Sequence, residues 1–144
     1  MKPYFKMERY RLIMFGRKKK NITKKILIVE DDSLLAKVMS TTFLSENFEV
    51  VTVENGLEVL DAVKKFIPDI IMLDLIIPGI DGFAVLKQLK EDSLTKDIPV
   101  AIMSNLGTIG DVKSTKALGA DEYFIKANTE IEKIVKYVKD KLKI

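Results

Sequence analysis

The chain has 144 residues, 31% of them charged, a formal net charge of +3, and neither cysteine nor histidine. That length fits one domain with a real core; the missing cysteine excludes a disulfide framework, a thiolate nucleophile and a thiolate zinc site, and the missing histidine removes the commonest general base, the commonest metal ligand and any Ser-His-Asp triad. The charge is uneven: residues 1–25 carry ten Lys/Arg against Glu8 alone, and the remaining residues carry 14 bases and 20 acids, so a basic arm precedes an acidic domain.

Residues 1–23 read as a basic N-terminal extension, expected to be flexible, and residues 24–144 as the domain. The arm's apolar stretch "LIMF" is too short for a signal-peptide core. No apolar run approaches the roughly 20 residues that span a bilayer, so a cytoplasmic location is expected. Three readings of the arm stay open: contact with an anionic surface (nucleic acid, membrane or acidic partner), a solvated extension without a role, or translation from an upstream start, since Met7 and Met14 are also candidate starts.

Within the domain, "KKILIVE" (24–30) is a short β-branched run, hence a buried strand. "SLLAKVMSTTFLSEN" (33–47) has apolar residues at helical spacing, with Ser33 as a candidate N-cap. "FEVVTV" (48–53) is a strand and "NGLEVLDAVKKF" (55–66) a helix with Leu57, Leu60 and Val63 on one face. The strand "DIIMLD" (69–74), the helix "GFAVLKQLKED" (82–92) and the strand "IPVAIMS" (98–104) follow. "TIGDVKSTKALG" (108–119) is a weaker helix ending at Gly119. "DEYFIK" (121–126) is a strand, and "TEIEKIVKYVKDKL" (129–142) an amphipathic helix.

Five βα units with continuous apolar strands imply an α/β fold, a doubly wound parallel sheet covered on both faces by five helices. In such sheets the ligand site lies beyond the C-terminal strand ends, at the switch point in strand order. Those ends carry chemistry. The first strand delivers Glu30, Asp31 and Asp32, the third Asp74, the fourth Ser104 and the fifth Lys126. In the flavodoxin-like order 2-1-3-4-5 the first and third strands are neighbours, roughly 4.8 Å apart, and the Lys126 stem covers most of the roughly 10 Å to Asp74.

Asp74 stands in "IIMLDLIIPG", an apolar run with one acid, where an ionised carboxylate is expensive to bury without a partner. Clustered carboxylates repel until one protonates or a cation arrives. An all-oxygen donor set without His or Cys suits a hard cation such as Mg²⁺, which takes one or two carboxylates and completes its shell with water and phosphate oxygens. A carboxylate beside such a site, an ammonium and a hydroxyl is a place to make and hold an acyl phosphate. The bland alternatives are a strand-end cap at Asp74, a solvated helix cap in "EDD", with Asp32 the best candidate, and ordinary packing at Ser104 and Tyr123.

The set "ILIVEDD", "IIMLDLIIPGIDG", "IPVAIMS" and "GADEYFIK" resembles the response-regulator receiver domain of two-component signalling, over roughly residues 24–143. The resemblance implies that Asp74 accepts a phosphoryl group from a sensor histidine kinase or phosphotransfer protein. It implies that Asp31 and Asp74 bind Mg²⁺ with Glu30 assisting, and that the Ile76 backbone carbonyl is a further ligand. Ser104 and Lys126 would bind phosphoryl oxygens, Ser104 and Tyr123 would act in the switch, and Ile76 and Leu106 would flank the path of a hydrolytic water. It implies a switch rather than an enzyme, with at most self-phosphorylation from small donors and slow self-dephosphorylation.

Output would pass to an unidentified protein target through the face of the fourth helix, fifth strand and fifth helix, which includes Lys113, Lys116, Tyr123 and Lys133. No DNA-binding output domain is legible, so a stand-alone receiver is expected. The sequence departs from the family at Ala127, where proline after the lysine is usual, at Ile76, where many relatives are polar, and at Asn105 and Leu106, where small residues are frequent. Two other readings compete. A nucleotide- or flavin-binding module lacks a Gly-rich loop after the first strand. A pseudo-receiver that never takes phosphate finds its best support in Ala127, and the intact set of acid, acid pair, hydroxyl and lysine argues against it.

Overall fold

The computed structural model describes residues 5–8 and 23–144. In chain order its elements are β1 (Phe5–Glu8), β2 (Lys25–Val29), α1 (Ser33–Ser45), β3 (Glu49–Val53), a 3-10 turn (Gly56–Glu58), α2 (Val59–Phe66), β4 (Ile70–Leu73), α3 (Gly82–Glu91), β5 (Val100–Ser104), α4 (Ile109–Ala117), β6 (Glu122–Ile125), a second 3-10 turn (Lys126–Asn128) and α5 (Ile131–Leu142). β2 to β6 are parallel in the order β3-β2-β4-β5-β6, the expected 2-1-3-4-5 order counted from Lys25.

Period-two alternation inside these strands builds two cores. Leu27, Val29, Ile71, Leu73, Val100 and Ile102 face one side, where α2 and α3 bring Val59, Ala62, Val63, Phe66, Val85, Leu86 and Leu89. Ile26, Ile28, Ile70, Met72, Ala101 and Met103 face the other, against Met39 and Phe43 of α1 and Ile134, Val135 and Val138 of α5. Because both faces are covered, these strands read as unbroken apolar runs. Burying each large side chain contributes about 1.5–3 kcal/mol.

One strand lies outside the expected set. Phe5–Glu8 pairs antiparallel with β3 (Phe5↔Val53 through Glu8↔Val50), so the sheet has six strands and β3 is not its edge. The sequence reading placed residues 1–23 outside the sheet as a flexible extension; the rest of that arm lies outside the described residues. "FKME" alternates apolar and charged residues, a pattern compatible with an edge strand that the sequence reading did not single out.

Helix ends differ in physically readable ways. The N-cap of α1 is Asp32, whose carboxylate accepts from the amides of Leu34 and Leu35; Ser33 is already helical. α1 stops at Ser45, and Asn47 takes a positive φ of 69° before β3. The expected helix 55–66 divides into the 3-10 turn and α2. α4, whose sequence signal was weakest, is started by a capping box in which Thr108 and Asp111 satisfy each other's backbone amides.

Candidate functional site

The parallel register brings the C-terminal ends of β2, β4, β5 and β6 to one edge of the sheet. The Glu30 amide donates to the Val53 carbonyl (2.9 Å), and the Asp74 amide to the Val29 carbonyl (3.1 Å), so both acids leave their strands while still tied to a neighbour. Glu30 and Asp74 are buried, at 0% and 4% exposure, whereas Asp31 is exposed. One carboxylate oxygen from each of the three lies within 4.8 Å of the others. Gly82 makes room for this edge, since a Cβ there would sit 2.4 Å from the Asp74 carbonyl oxygen. Only glycine lets α3 start so close beneath the acid.

Lys126 answers the question raised by the acid in an apolar run. Its Nζ lies 2.7 Å from Asp74 Oδ2 and 2.6 Å from Glu30 Oε1. The remaining oxygens are used locally: Asp74 Oδ1 accepts from the Ile76 amide (3.2 Å) and Glu30 Oε2 from the Asp32 amide (3.0 Å). Glu30 Oε1 is buried and has no well-directed hydrogen bond, so Lys126 holds it by charge. Burial pushes the Glu30 carboxyl above its ordinary value, and the Lys126 ammonium only partly restrains it. Burial also works against the Lys126 ammonium, but Asp74 and Glu30 outweigh it and leave its pKa raised.

This donor set fits Mg²⁺. The oxygens are hard, the exposed Asp31 carboxylate gives access, and the buried Glu30 Oε1 has no directed hydrogen-bond partner among the described residues. The acids whose oxygens converge there are Glu30, Asp31 and Asp74.

Ser104 ends β5 fully buried, and its hydroxyl accepts from the Leu106 amide (3.3 Å). The Tyr123 hydroxyl donates to the Leu106 carbonyl. Burial is the main cause that raises the Tyr123 phenol above its usual value; a contact with Ser104 works the other way. The two residues expected to flank a water path differ in setting. Ile76 is 57% exposed, whereas Leu106 packs against the α2/α3 core. Lys113, Lys116 and Lys133 are exposed on α4 and α5.

Ala127 does not displace the lysine. No described peptide bond is cis, and the Ala127 amide, a donor that proline lacks, donates to Asn105 Oδ1 (3.1 Å). Sequence reasoning did not pair these residues. The available signal was that both departures from the family flank the ends of adjacent strands. No helix among the described residues is long and apolar enough to cross a membrane.

A family model described as the response regulator receiver domain matches residues 26–139. The chain is similar to sporulation initiation phosphotransferase F of Bacillus subtilis (strain 168), 36% identical over 105 residues, which cover 73% of this chain and 83% of that protein. It is also similar to the probable transcriptional regulator ycf27 of Guillardia theta, 33% identical over 102 residues, which cover 71% of this chain and 39% of that protein. The chain thus spans about two fifths of the length of the first curated relatives it matches. Among solved structures it is similar to the phosphorylated cyanobacterial phytochrome response regulator RcpA, with a TM-score of 0.73 at 29% identity, covering 82% of this chain and 92% of that one.

Proposed function

Because the chain belongs to the response regulator receiver domain family, we propose that it is a phosphorylatable signalling switch whose acceptor is Asp74, charged by a sensor histidine kinase or phosphotransfer protein. The observation that carries this is the Lys126 ammonium set between two buried carboxylates, 2.6 and 2.7 Å away, with the exposed Asp31 alongside. A buried acid pair neutralised by one lysine is a weak stability device. It is a strong device for receiving a group that brings its own negative charge, and buried acids gathered at a sheet's switch point are where function concentrates.

In the transfer, one Asp74 carboxylate oxygen forms a bond to phosphorus as the bond from phosphorus to the donor breaks, giving an aspartyl phosphate and the free donor. Little covalent work falls to the protein; it supplies position and charge. Lys126 bonds a phosphoryl oxygen, and the Ser104 hydroxyl bonds another. Glu30, Asp31, Asp74 and the Ile76 carbonyl would hold Mg²⁺, which would supply positive charge against the phosphoryl oxygens. Ser104 and Tyr123 then report the new group, since the Tyr123 hydroxyl and the Leu106 carbonyl link β6 to the loop after β5. The face of α4, β6 and α5, with Lys113, Lys116, Tyr123 and Lys133, meets the downstream protein. Kinship with a protein named a phosphotransferase and with a structure described as phosphorylated supports this reading.

The test is intact-mass measurement after incubation with acetyl phosphate, with and without Mg²⁺. Wild type gains one phosphoryl group only with Mg²⁺, and Asp74→Asn gains none. Equal labelling of the Asn variant would remove Asp74 from the role.

A further inference from the structure

Lys126 opens the 3-10 turn Lys126–Asn128, which follows β6 directly and has no side-chain cap at its start. Its ammonium sits at the end of a flexible four-carbon stem, so the backbone beneath it decides where the charge can be held. Two side chains tie that backbone. The Thr129 hydroxyl donates to the Ile125 carbonyl (2.9 Å) within the same loop. The other tie comes from a different strand: the register Ser104↔Ile125 sets the loop after β5 beside the loop after β6, and Asn105 Oδ1 accepts from the Ala127 amide at 3.1 Å. Asn105 is the residue after Ser104 and Ala127 the residue after Lys126. Beyond the last register pair, this hydrogen bond ties the loop that follows the hydroxyl to the loop that carries the ammonium.

We infer that Asn105 is a positioning residue for phosphoryl transfer, holding the Ala127 amide so that Lys126 is aimed at Asp74. The inference rests on the reading of Asp74 as acceptor. Both Asn105 and Ala127 are exposed, so water competes for the bond and its strength is ordinary. Its leverage comes from what it aims, because small misplacements of a charge-stabilising group are costly in transfer.

The test is a rate cycle with acetyl phosphate and Mg²⁺ on wild type, Asn105→Ala, Lys126→Ala and the double variant. Hydrogen exchange of backbone amides is followed in parallel. Asn105→Ala labels about fivefold more slowly, the size of one ordinary hydrogen bond. In the Lys126→Ala background it adds no further slowing, which a general loosening of the fold would not produce. The Ala127 amide exchanges faster in Asn105→Ala, while amides of β2 and β4 keep wild-type protection, which certifies the fold. Wild-type labelling by Asn105→Ala, equal slowing in both backgrounds, or a change confined to decay of the phosphorylated protein would overturn the inference. Failure of wild type to label at all would instead sink the acceptor reading.

Discussion

Replacing Lys126 with Met deletes the ammonium that touches both buried acids, keeping the length of the stem. The carboxylate side chains are 1% and 5% exposed and that of Lys126 is 15% exposed, so solvent cannot substitute for the lost charge. Removing one partner of a buried ion pair costs about 3–5 kcal/mol. For a domain of this size each kcal/mol moves the melting temperature by about 4 °C, so a fall of about 12–20 °C is expected at neutral pH in EDTA. Mg²⁺ at a hundred times its dissociation constant returns about 2.7 kcal/mol by mass action. The gain is larger in the variant than in wild type, where Lys126 already occupies the acids, and Asp31→Ala removes most of it. Acid should narrow the gap as well. Burial raises the Glu30 carboxyl above its ordinary value of 4.5, and without Lys126 it rises further, so the folded variant binds more protons than its unfolded chain. Stability is then highest below pH 4.5 for this group and is lost as the pH climbs through the higher folded value. The assay is thermal denaturation followed by circular dichroism across pH and Mg²⁺. A variant that melts within about 2 °C of wild type in EDTA at pH 7, or is indifferent to Mg²⁺, would refute the account of Lys126 as the counter-charge.

Two further outcomes are expected. Ile76 is 57% exposed beside Asp74 and offers a water no side-chain hydrogen bond, so Ile76→Asn should speed loss of the phosphoryl group severalfold once the donor is removed; wild-type decay as fast as the variant's would show that Ile76 does not exclude the water. Ile67 caps α2 in the left-handed region at φ 53°, strained for a β-branched residue. Relief of about 1–2 kcal/mol, less about 0.5–1 kcal/mol for the freer unfolded chain, makes Ile67→Gly slightly stabilising. An unchanged or lower denaturant midpoint at constant slope would contradict this.

The sequence by itself determined the parallel sheet. Runs such as "ILIV" and "IIML" are apolar at every position, which only a strand covered on both faces tolerates, and helical periods between them dictate the crossovers. It also put Glu30, Asp31, Asp74, Ser104 and Lys126 at one edge, because each is the last residue of its strand or follows it closely. The strand order then makes neighbours of residues far apart in the chain. Other features depended on where independent segments meet, which a local pattern does not encode. Phe5–Glu8 has too few residues to signal a strand inside a basic arm, and it takes that form by pairing with the free edge of β3. The sequence offered both Asp32 and Ser33 as caps of α1, and the geometry of the helix start selected Asp32. That Leu106 packs partly against the core behind α2 and α3 while Ile76 stays exposed is likewise a matter of tertiary contact. The Asn105–Ala127 bond joins two exposed loops through strands paired side by side, so neither residue predicts the other until the register Ser104↔Ile125 sets them together.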